Sequence, residues 1–144
     1  MTELFVKRLE PADLPLLLAT PPGLFDNAVD PKQSAAFLGD PLHHIVVGLL
    51  DGEIVSFASG TVLLHPDKAP SLFINEVGTR DAVLRRGYAT AVTQALIDHA
   101  RRLGCKGIWL GTEPDNTAAR ALYRRLGADE VPFVGYGWDG ALDD

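Results

Sequence analysis

The segment from Ser71 to Thr90 constrains this chain most. It reads Ser-Leu-Phe-Ile-Asn-Glu-Val-Gly-Thr, then Arg-Asp-Ala-Val-Leu-Arg-Arg-Gly-Tyr-Ala-Thr. An apolar strand runs into a loop with two arginines and a glycine, and that loop opens a long amphipathic helix. The first N–H groups of a helix have no partner within it. Gly87 lets the backbone approach a ligand closely, and Arg85 and Arg86 add charge. The amides from about Gly87 to Thr90 can therefore hold an anion such as a pyrophosphate. The loop is neither a Walker loop nor a dinucleotide fingerprint, because it lacks Gly-Lys-Ser/Thr and Gly-x-Gly-x-x-Gly. Taken alone, it reads equally well as a surface turn with two solvated arginines.

The flanking chain alternates strands and helices. Glu3 to Leu9 reads as a first strand. Pro11 opens a short helix with Leu14, Leu17 and Leu18 on its apolar face, stopped by Pro21-Pro22-Gly23. A loop spans Leu24 to Asp30, then one or two helical turns run from Gln33 to Leu38. His44–Leu50 and Glu53–Leu64 read as strands joined by the hairpin signal Asp51-Gly52. The Ser59-Gly60 interior of the second marks a bend or bulge. Leu72–Thr79 is the next strand, and a helix spans about Gly87 to Leu103, ended by Gly104. Cys105–Gly111 reads as a strand parallel to Leu72–Thr79, because a helix separates them. Asn116 caps a second helix ending at Leu126-Gly127, with Ala118, Leu122 and Leu126 as its buried stripe. Val131–Trp138 reads as a last strand. The 144 residues are read as one domain, 1–144, since neither a linker nor a repeat divides them.

Composition excludes several classes. A net charge of −6 argues against broad nucleic-acid binding, which needs a basic surface, and leans towards a cationic partner. No apolar run reaches the roughly 20 residues of a membrane helix, and the N-terminus lacks a signal peptide's apolar core. With one cysteine, Cys105, neither an intrachain disulfide nor a multi-cysteine metal site is available. The expectation is a cytoplasmic protein without a metal. His43 and His44 read as a loop pair rather than ligands, His99 as a satisfied core histidine, and Trp109 as core.

The second helix changes the weight of the first loop. On an α-helix Asn116, Arg120 and Tyr123 fall near one line, and Tyr123 sits at the edge of the apolar stripe, where its hydroxyl can reach a cleft. A boundary tyrosine that only packs its ring is the alternative. Leu84-Arg-Arg-Gly-Tyr-Ala89 followed by a helix resembles motif A of the GNAT superfamily of N-acetyltransferases. Asn116-Thr-Ala-Ala-Arg-Ala-Leu-Tyr123-Arg-Arg-Leu-Gly127 resembles its motif B. Leu84 departs from the pattern, which usually has Gln or Arg there. The resemblance implies a mixed α/β (α+β) GNAT fold. Its mostly antiparallel central sheet would have six to seven strands and about four flanking helices, with a splayed parallel pair in the middle. It implies acetyl-CoA as acyl donor. Val77, Gly78 and Thr79 would pair with the pantetheine arm, Arg85, Arg86, Gly87, Tyr88, Ala89 and Thr90 would take the pyrophosphate, and Asn116, Arg120 and Tyr123 would line the arm and face the thioester sulfur.

The implied chemistry is direct attack of an amine on the thioester. Tyrosine, with a pKa near ~10, is protonated at neutral pH and can donate to the leaving thiolate. Glu76 stands where acidic residues of this superfamily bind or deprotonate the acceptor amine; a solvated strand glutamate is the alternative. The Ile74–Thr79 strand, the motif A spacing and the acidic tail (Asp139, Asp143, Asp144) resemble, more weakly, aminoglycoside 3-N-acetyltransferases. Asp26, Glu76, Trp138 and Asp139 are the candidate substrate contacts, for a small cationic amine. Protein or peptide N-termini are alternative acceptors, and a non-catalytic acyl-CoA-binding module is the alternative function. A homodimer through the C-terminal strand is left open.

Overall fold

The computed structural model describes residues 3–140. Five strands form one sheet in the order β1-β2-β3-β4-β5: β1 Phe5–Arg8, β2 His43–Leu50, β3 Glu53–Leu63, β4 Ser71–Thr79 and β5 Gly107–Trp109. The first four are antiparallel neighbours, and β4–β5 is parallel. Four helices flank the sheet: α1 Leu14–Leu18, entered through a 3-10 turn at Pro11–Asp13, α2 Pro31–Gly39, α3 Tyr88–Arg102 and α4 Thr117–Arg125. The mixed fold is the one expected from the sequence.

Each face of the sheet carries its own core. On one, Val92, Leu96 and Ala100 of α3 pack on Val46, Ala58, Val62, Leu72 and Ile74. On the other, Leu17 of α1 and Leu38 of α2 cover Ile45, Val47, Leu49, Ile54 and Phe57. The sequence of β2 shows this two-sided burial directly, because Ile45 to Leu50 is a nearly unbroken apolar run, whereas β3 is buried along most of its length although it carries Ser56, Ser59 and Thr61.

Three expectations are corrected. First, the sheet has five strands among the described residues, not six or seven, and the stretch Val131–Trp138 forms no strand. Pro132 lacks a donor, Gly135 and Gly137 weaken pairing, and the apolar alternation breaks between Phe133 and Val134. The parallel pair therefore lies at the sheet edge. Second, β5 keeps only three of the seven residues expected, and Trp109 is 46% exposed, its ring 4.3 Å from that of Phe73. With no described strand beyond β5, α4 buries Leu122 alone of its predicted stripe, and Ala118 is exposed. Third, His43 and His44 open β2 rather than a loop, and His99 is not satisfied: the Nε2 atoms of His44 and His99 are both buried without partners.

These two rings meet edge to face at 4.8 Å between β2 and α3. Burial first, then Arg8, His44 and Arg102, lowers the His99 pKa to about 4, and burial and Arg8 lower that of His44. The folded protein disfavours the charged form of both, whereas the unfolded chain protonates them near pH ~6.5. Their contribution to stability is whole above that pH and is lost as pH falls below it, for His99 down to about 4. His99→Phe is expected to flatten the stability–pH curve between pH 6.5 and 4, measured by urea denaturation. An unchanged slope would show that His99 does not titrate as its surroundings dictate.

Candidate active site

A β-bulge in β4 sets the site. Ser59 pairs with Glu76, but the next residue, Gly60, pairs with Ile74, which leaves Asn75 as the extra residue. The bend expected at Ser59-Gly60 is thus present, with its inserted residue on the opposite strand. Leu72 and Ile74 face α3, and regular alternation would send Glu76 there too. The bulge places Asn75 and Glu76 together on the α1/α2 face, where the Asn75 amide donates to Thr61 Oγ1 at 2.9 Å, and returns Val77 to the α3 side. Gly60 permits the close approach, since a Cβ there would meet Leu72 Cδ1 at 2.9 Å and the Phe73 carbonyl oxygen at 3.0 Å.

Two hollows meet at Glu76. The larger, about 590 Å3, lies under α2 and the 25–30 loop, with Phe25, Phe37, Ile45 and Phe57 as apolar walls and Asp26, Asp30, Asp40, His43, Ser59 and Glu76 as polar groups. The smaller, about 170 Å3, is the gap where β4 and β5 diverge. Their pairing stops at Phe73–Trp109, and the gap is lined by Ile74 to Val77, by Leu110 to Thr112, and by Asn116, Ala119 and Tyr123 of α4. Glu76 borders both. Its pKa is raised, first by desolvation and then by the Asp26 carboxylate. Tyr123 is half-buried, and burial raises its pKa as well, so its hydroxyl stays protonated at neutral pH.

The remaining residues fall into place around these hollows. Asn116 caps α4, its Oδ1 accepting from Ala119 N at 3.1 Å, while also lining the smaller gap. Beyond the ladder with β5, Val77, Gly78 and Thr79 run along an edge with no neighbouring strand among the described residues. Gly78 and Thr79 are held from behind: Ser56 donates to the Gly78 carbonyl at 3.0 Å, and its oxygen lies 2.8 Å from that of Thr79. Gly87, at φ +81°, precedes α3, whose N-terminus has no side-chain cap, leaving the amides of Tyr88, Ala89 and Thr90 available. Arg85 also takes a left-handed conformation, at φ +63°. Arg86 and Leu84 are exposed in the same turn.

Arg120 points elsewhere. Its guanidinium donates to both oxygens of Glu130, at 2.7 and 3.1 Å, and to the Pro114 carbonyl at 2.6 Å. Arg124 also binds Glu130, and these two arginines hold the Glu130 pKa at about 2. Trp138 and Asp139 border neither hollow, and Trp138 is exposed. Asp143 and Asp144 lie outside the described residues. Phe25, Phe37, Ser59 and the Asp40–His43 pair (3.2 Å) form no motif in the sequence. They are scattered over a loop, a helix and two strands, and only the fold gathers them.

A two-sided sheet with a splayed parallel edge, an uncapped helix N-terminus and a tyrosine on the gap wall is the arrangement that the resemblance to the GNAT acyltransferases implies. The family model described as "Acetyltransferase (GNAT) family" matches residues 14–128, and the chain belongs to that family. Among curated relatives, it is 38% identical over 80 residues to a mycothiol acetyltransferase of Nocardia farcinica, a match covering 54% of this chain and 26% of the relative. It is 32% identical over 87 residues to an L-2,4-diaminobutyric acid acetyltransferase of the same organism, covering 58% and 44%. The matches thus span less than half of each relative. An aminoglycoside acetyltransferase from an uncultured soil metagenomic sample, solved with sisomicin, has the same fold (TM-score 0.81, 19% identity, 94% of this chain and 95% of that one). So does an aminoglycoside N-acetyltransferase solved with CoA (TM-score 0.77, 17% identity, 96% and 95%). Acetyltransferases of this family take their acetyl group from acetyl-CoA.

A Cβ added at Gly87 would meet nothing within 4 Å, so substitution there acts through the backbone alone. Gly87→Ala is expected to cost about 1–2 kcal/mol, the strain of a left-handed non-glycine residue, or to move the turn and weaken acetyl-CoA binding. Calorimetric titration with acetyl-CoA and urea denaturation check this; both unchanged would contradict the loop geometry.

Proposed function

We propose that the chain is an acetyl-CoA-dependent N-acetyltransferase for a small cationic amine, with Glu76 as general base and Tyr123 as general acid. The observation that carries this reading is the position of Glu76 on the border of the two hollows, with Tyr123 on the wall of the smaller one. The residues fit the acyl donor. The free edge of Val77, Gly78 and Thr79 can pair with the amides of the pantetheine arm, and Asn116 lines the same gap. The pyrophosphate falls to Arg85 and Arg86 and to the amides of Gly87, Tyr88, Ala89 and Thr90. Arg120, bound to Glu130, positions α4 rather than the donor.

The bound donor supplies a thioester carbonyl as electrophile and a thiolate as leaving group. Glu76 takes a proton from the acceptor ammonium, whose pKa is about 10 like that of lysine. The freed nitrogen attacks, the C–N bond forms, the C–S bond breaks, and the surplus proton on the new amide nitrogen leaves to solvent. In this reading the Val77 N–H polarises the carbonyl oxygen, and the Tyr123 hydroxyl protonates the departing sulfur and regains its proton from solvent. The larger hollow receives the acceptor, where Asp26 and Glu76 attract its charge while Phe25, Phe37 and Phe57 cover its carbon skeleton. The diaminobutyrate and aminoglycoside acetyltransferases among the relatives and neighbours support an acceptor with more than one amine.

Tyr123→Phe is expected to lower kcat by roughly 10²-fold or more, the scale of a general acid, with acetyl-CoA affinity retained; unchanged thiol release would remove Tyr123 from the chemistry. Wild-type kcat/KM should fall on acidification as Glu76 is protonated, at a pH above the ordinary carboxylate range because its pKa is raised. Glu76→Gln should abolish that limb along with most turnover. A limb that persists in the variant would assign the proton transfer to another group.

A further inference from the structure

Arg80 comes directly after the last residue of β4 and precedes the turn that leads to Gly87. Its backbone N–H donates to the Val55 carbonyl at 2.9 Å, and its own carbonyl accepts from Val83 in the turn. Its side chain goes the other way, over the chain that closes the larger hollow. Nη2 donates to the Pro21 carbonyl at 2.6 Å and Nη1 to the Pro22 carbonyl at 3.0 Å, while Nε lies 3.6 Å from Glu53 Oε1. Pro21 and Pro22 have no N–H of their own, so these carbonyls are the handles by which this turn can be held. Gly23 follows at φ +107°, a conformation that favours glycine, and a Cβ there would touch Nη1 at 3.4 Å.

Beyond the Pro21–Pro22 turn, the chain forms the acceptor wall. The Leu24 carbonyl oxygen lies over Gly78, where a Cβ would meet it at 3.6 Å. The Phe25 ring rests on Phe57 at 4.4 Å between centroids. Asp26 then enters the hollow that Glu76 borders. One fork of hydrogen bonds thus fixes a loop that carries an aromatic wall and the carboxylate next to Glu76.

We infer that Arg80 is a positioning residue for the acceptor: it clamps the Pro21–Pro22 turn so that Phe25 and Asp26 close the hollow beside Glu76. The inference rests on the acetyltransferase reading of that hollow. Arg80 touches neither reactant in this assignment and acts through the loop. The donor side should be indifferent to its side chain, because the bond by which Arg80 ties the end of β4 to Val55 of β3 is a backbone one, retained in any non-proline substitution. Lysine cannot replace it fully, since a single ammonium lacks the planar fork that reaches two carbonyls at once.

The pH profile offers a readout that a merely structural role would not move. Asp26 contributes to the raised pKa of Glu76. The other titratable groups around the hollow are Asp30 on the same loop, Asp40 after α2 and His43 on β2. If the loop loosens, Asp26 leaves Glu76, the Glu76 pKa falls, and the acid limb of kcat/KM moves to lower pH.

The test compares wild type with Arg80→Met, Arg80→Lys, Asp26→Asn and the double variant Arg80→Met/Asp26→Asn. Arg80→Lys keeps the charge beside Glu53 should the methionine variant fail to fold. The first readout needs no turnover: backbone amide hydrogen exchange without ligands. It should quicken at residues 24–29 in both Arg80 variants while α3 and β2–β4 stay protected. Kinetically, kcat/KM for the amine should drop on the order of 10- to 100-fold, the scale of a reactant misplaced by about 1 Å, with acetyl-CoA affinity unchanged. Arg80→Met and Asp26→Asn should shift the acid limb in the same direction, and the double variant should shift it no further, since both act through one carboxylate. Unaltered exchange at 24–29, an additive double variant, or a loss confined to acetyl-CoA affinity would each overturn the inference. Absence of turnover in wild type with every amine would instead overturn the acetyltransferase reading, leaving the exchange result to judge the clamp by itself.

Discussion

The extra residue in β4 is the constraint on which the rest of the site depends. A strand alternates its side chains with a period of two, and a single inserted residue reverses that phase. Asn75 does this between Ile74 and Glu76. Before it, β4 serves the core beneath α3. After it, the carboxylate is on the other face, and Val77 is back in the apolar layer. Without the inserted residue's change of phase, Glu76 would join Leu72 and Ile74 in the contact with Val92 and Leu96, where an ionised carboxylate has no partner. A bulge also sharpens the local twist and bend, and the β4–β5 ladder ends at Phe73, just ahead of it. One feature thus turns the carboxylate and accompanies the gap at its back.

From that arrangement the two sides of the sheet acquire different work. The α3 side is a mostly apolar core that anchors a helix whose N-terminus stands free for an anion. The α1/α2 side is less complete. Its aromatic floor continues into an open hollow edged by carboxylates, which suits a cation with an apolar frame. Glu76 joins the two because it lies where the hollow meets the gap. Desolvation and Asp26 keep its pKa above the ordinary carboxylate value, the direction a base working on an amine requires.

Much of this was legible in the sequence, because it rests on local rules. The loop with Gly87, the Asn116 cap and the Asp51-Gly52 hairpin are short-range signals, and each element they start is present. The bend at Ser59-Gly60 was legible as well, though not that Asn75 on the facing strand supplies the extra residue; register is a property of two strands and is written in neither alone. Side-chain partners were also hidden. Arg120 lies in line with Asn116 and Tyr123 on the helix, yet Glu130, ten residues on, takes its guanidinium. The Val131–Trp138 stretch has the composition of a strand, but Pro132, two glycines and a broken alternation act against pairing. Arg80 gave no signal at all, since its partners are carbonyls 58 and 59 residues away.

If the proposed chemistry holds, Glu76 and Tyr123 face one thioester from opposite sides. A crystal structure with acetyl-CoA and an unreactive amine analogue tests this most directly. The expected result has the thioester in the gap between β4 and β5 and the Tyr123 hydroxyl about 3 Å from sulfur or one water away. The analogue's nitrogen should lie in the larger hollow on the Glu76 side, with Arg120 still on Glu130. A thioester outside that gap, or Arg120 released from Glu130 to hold the donor while Tyr123 turns away, would contradict it.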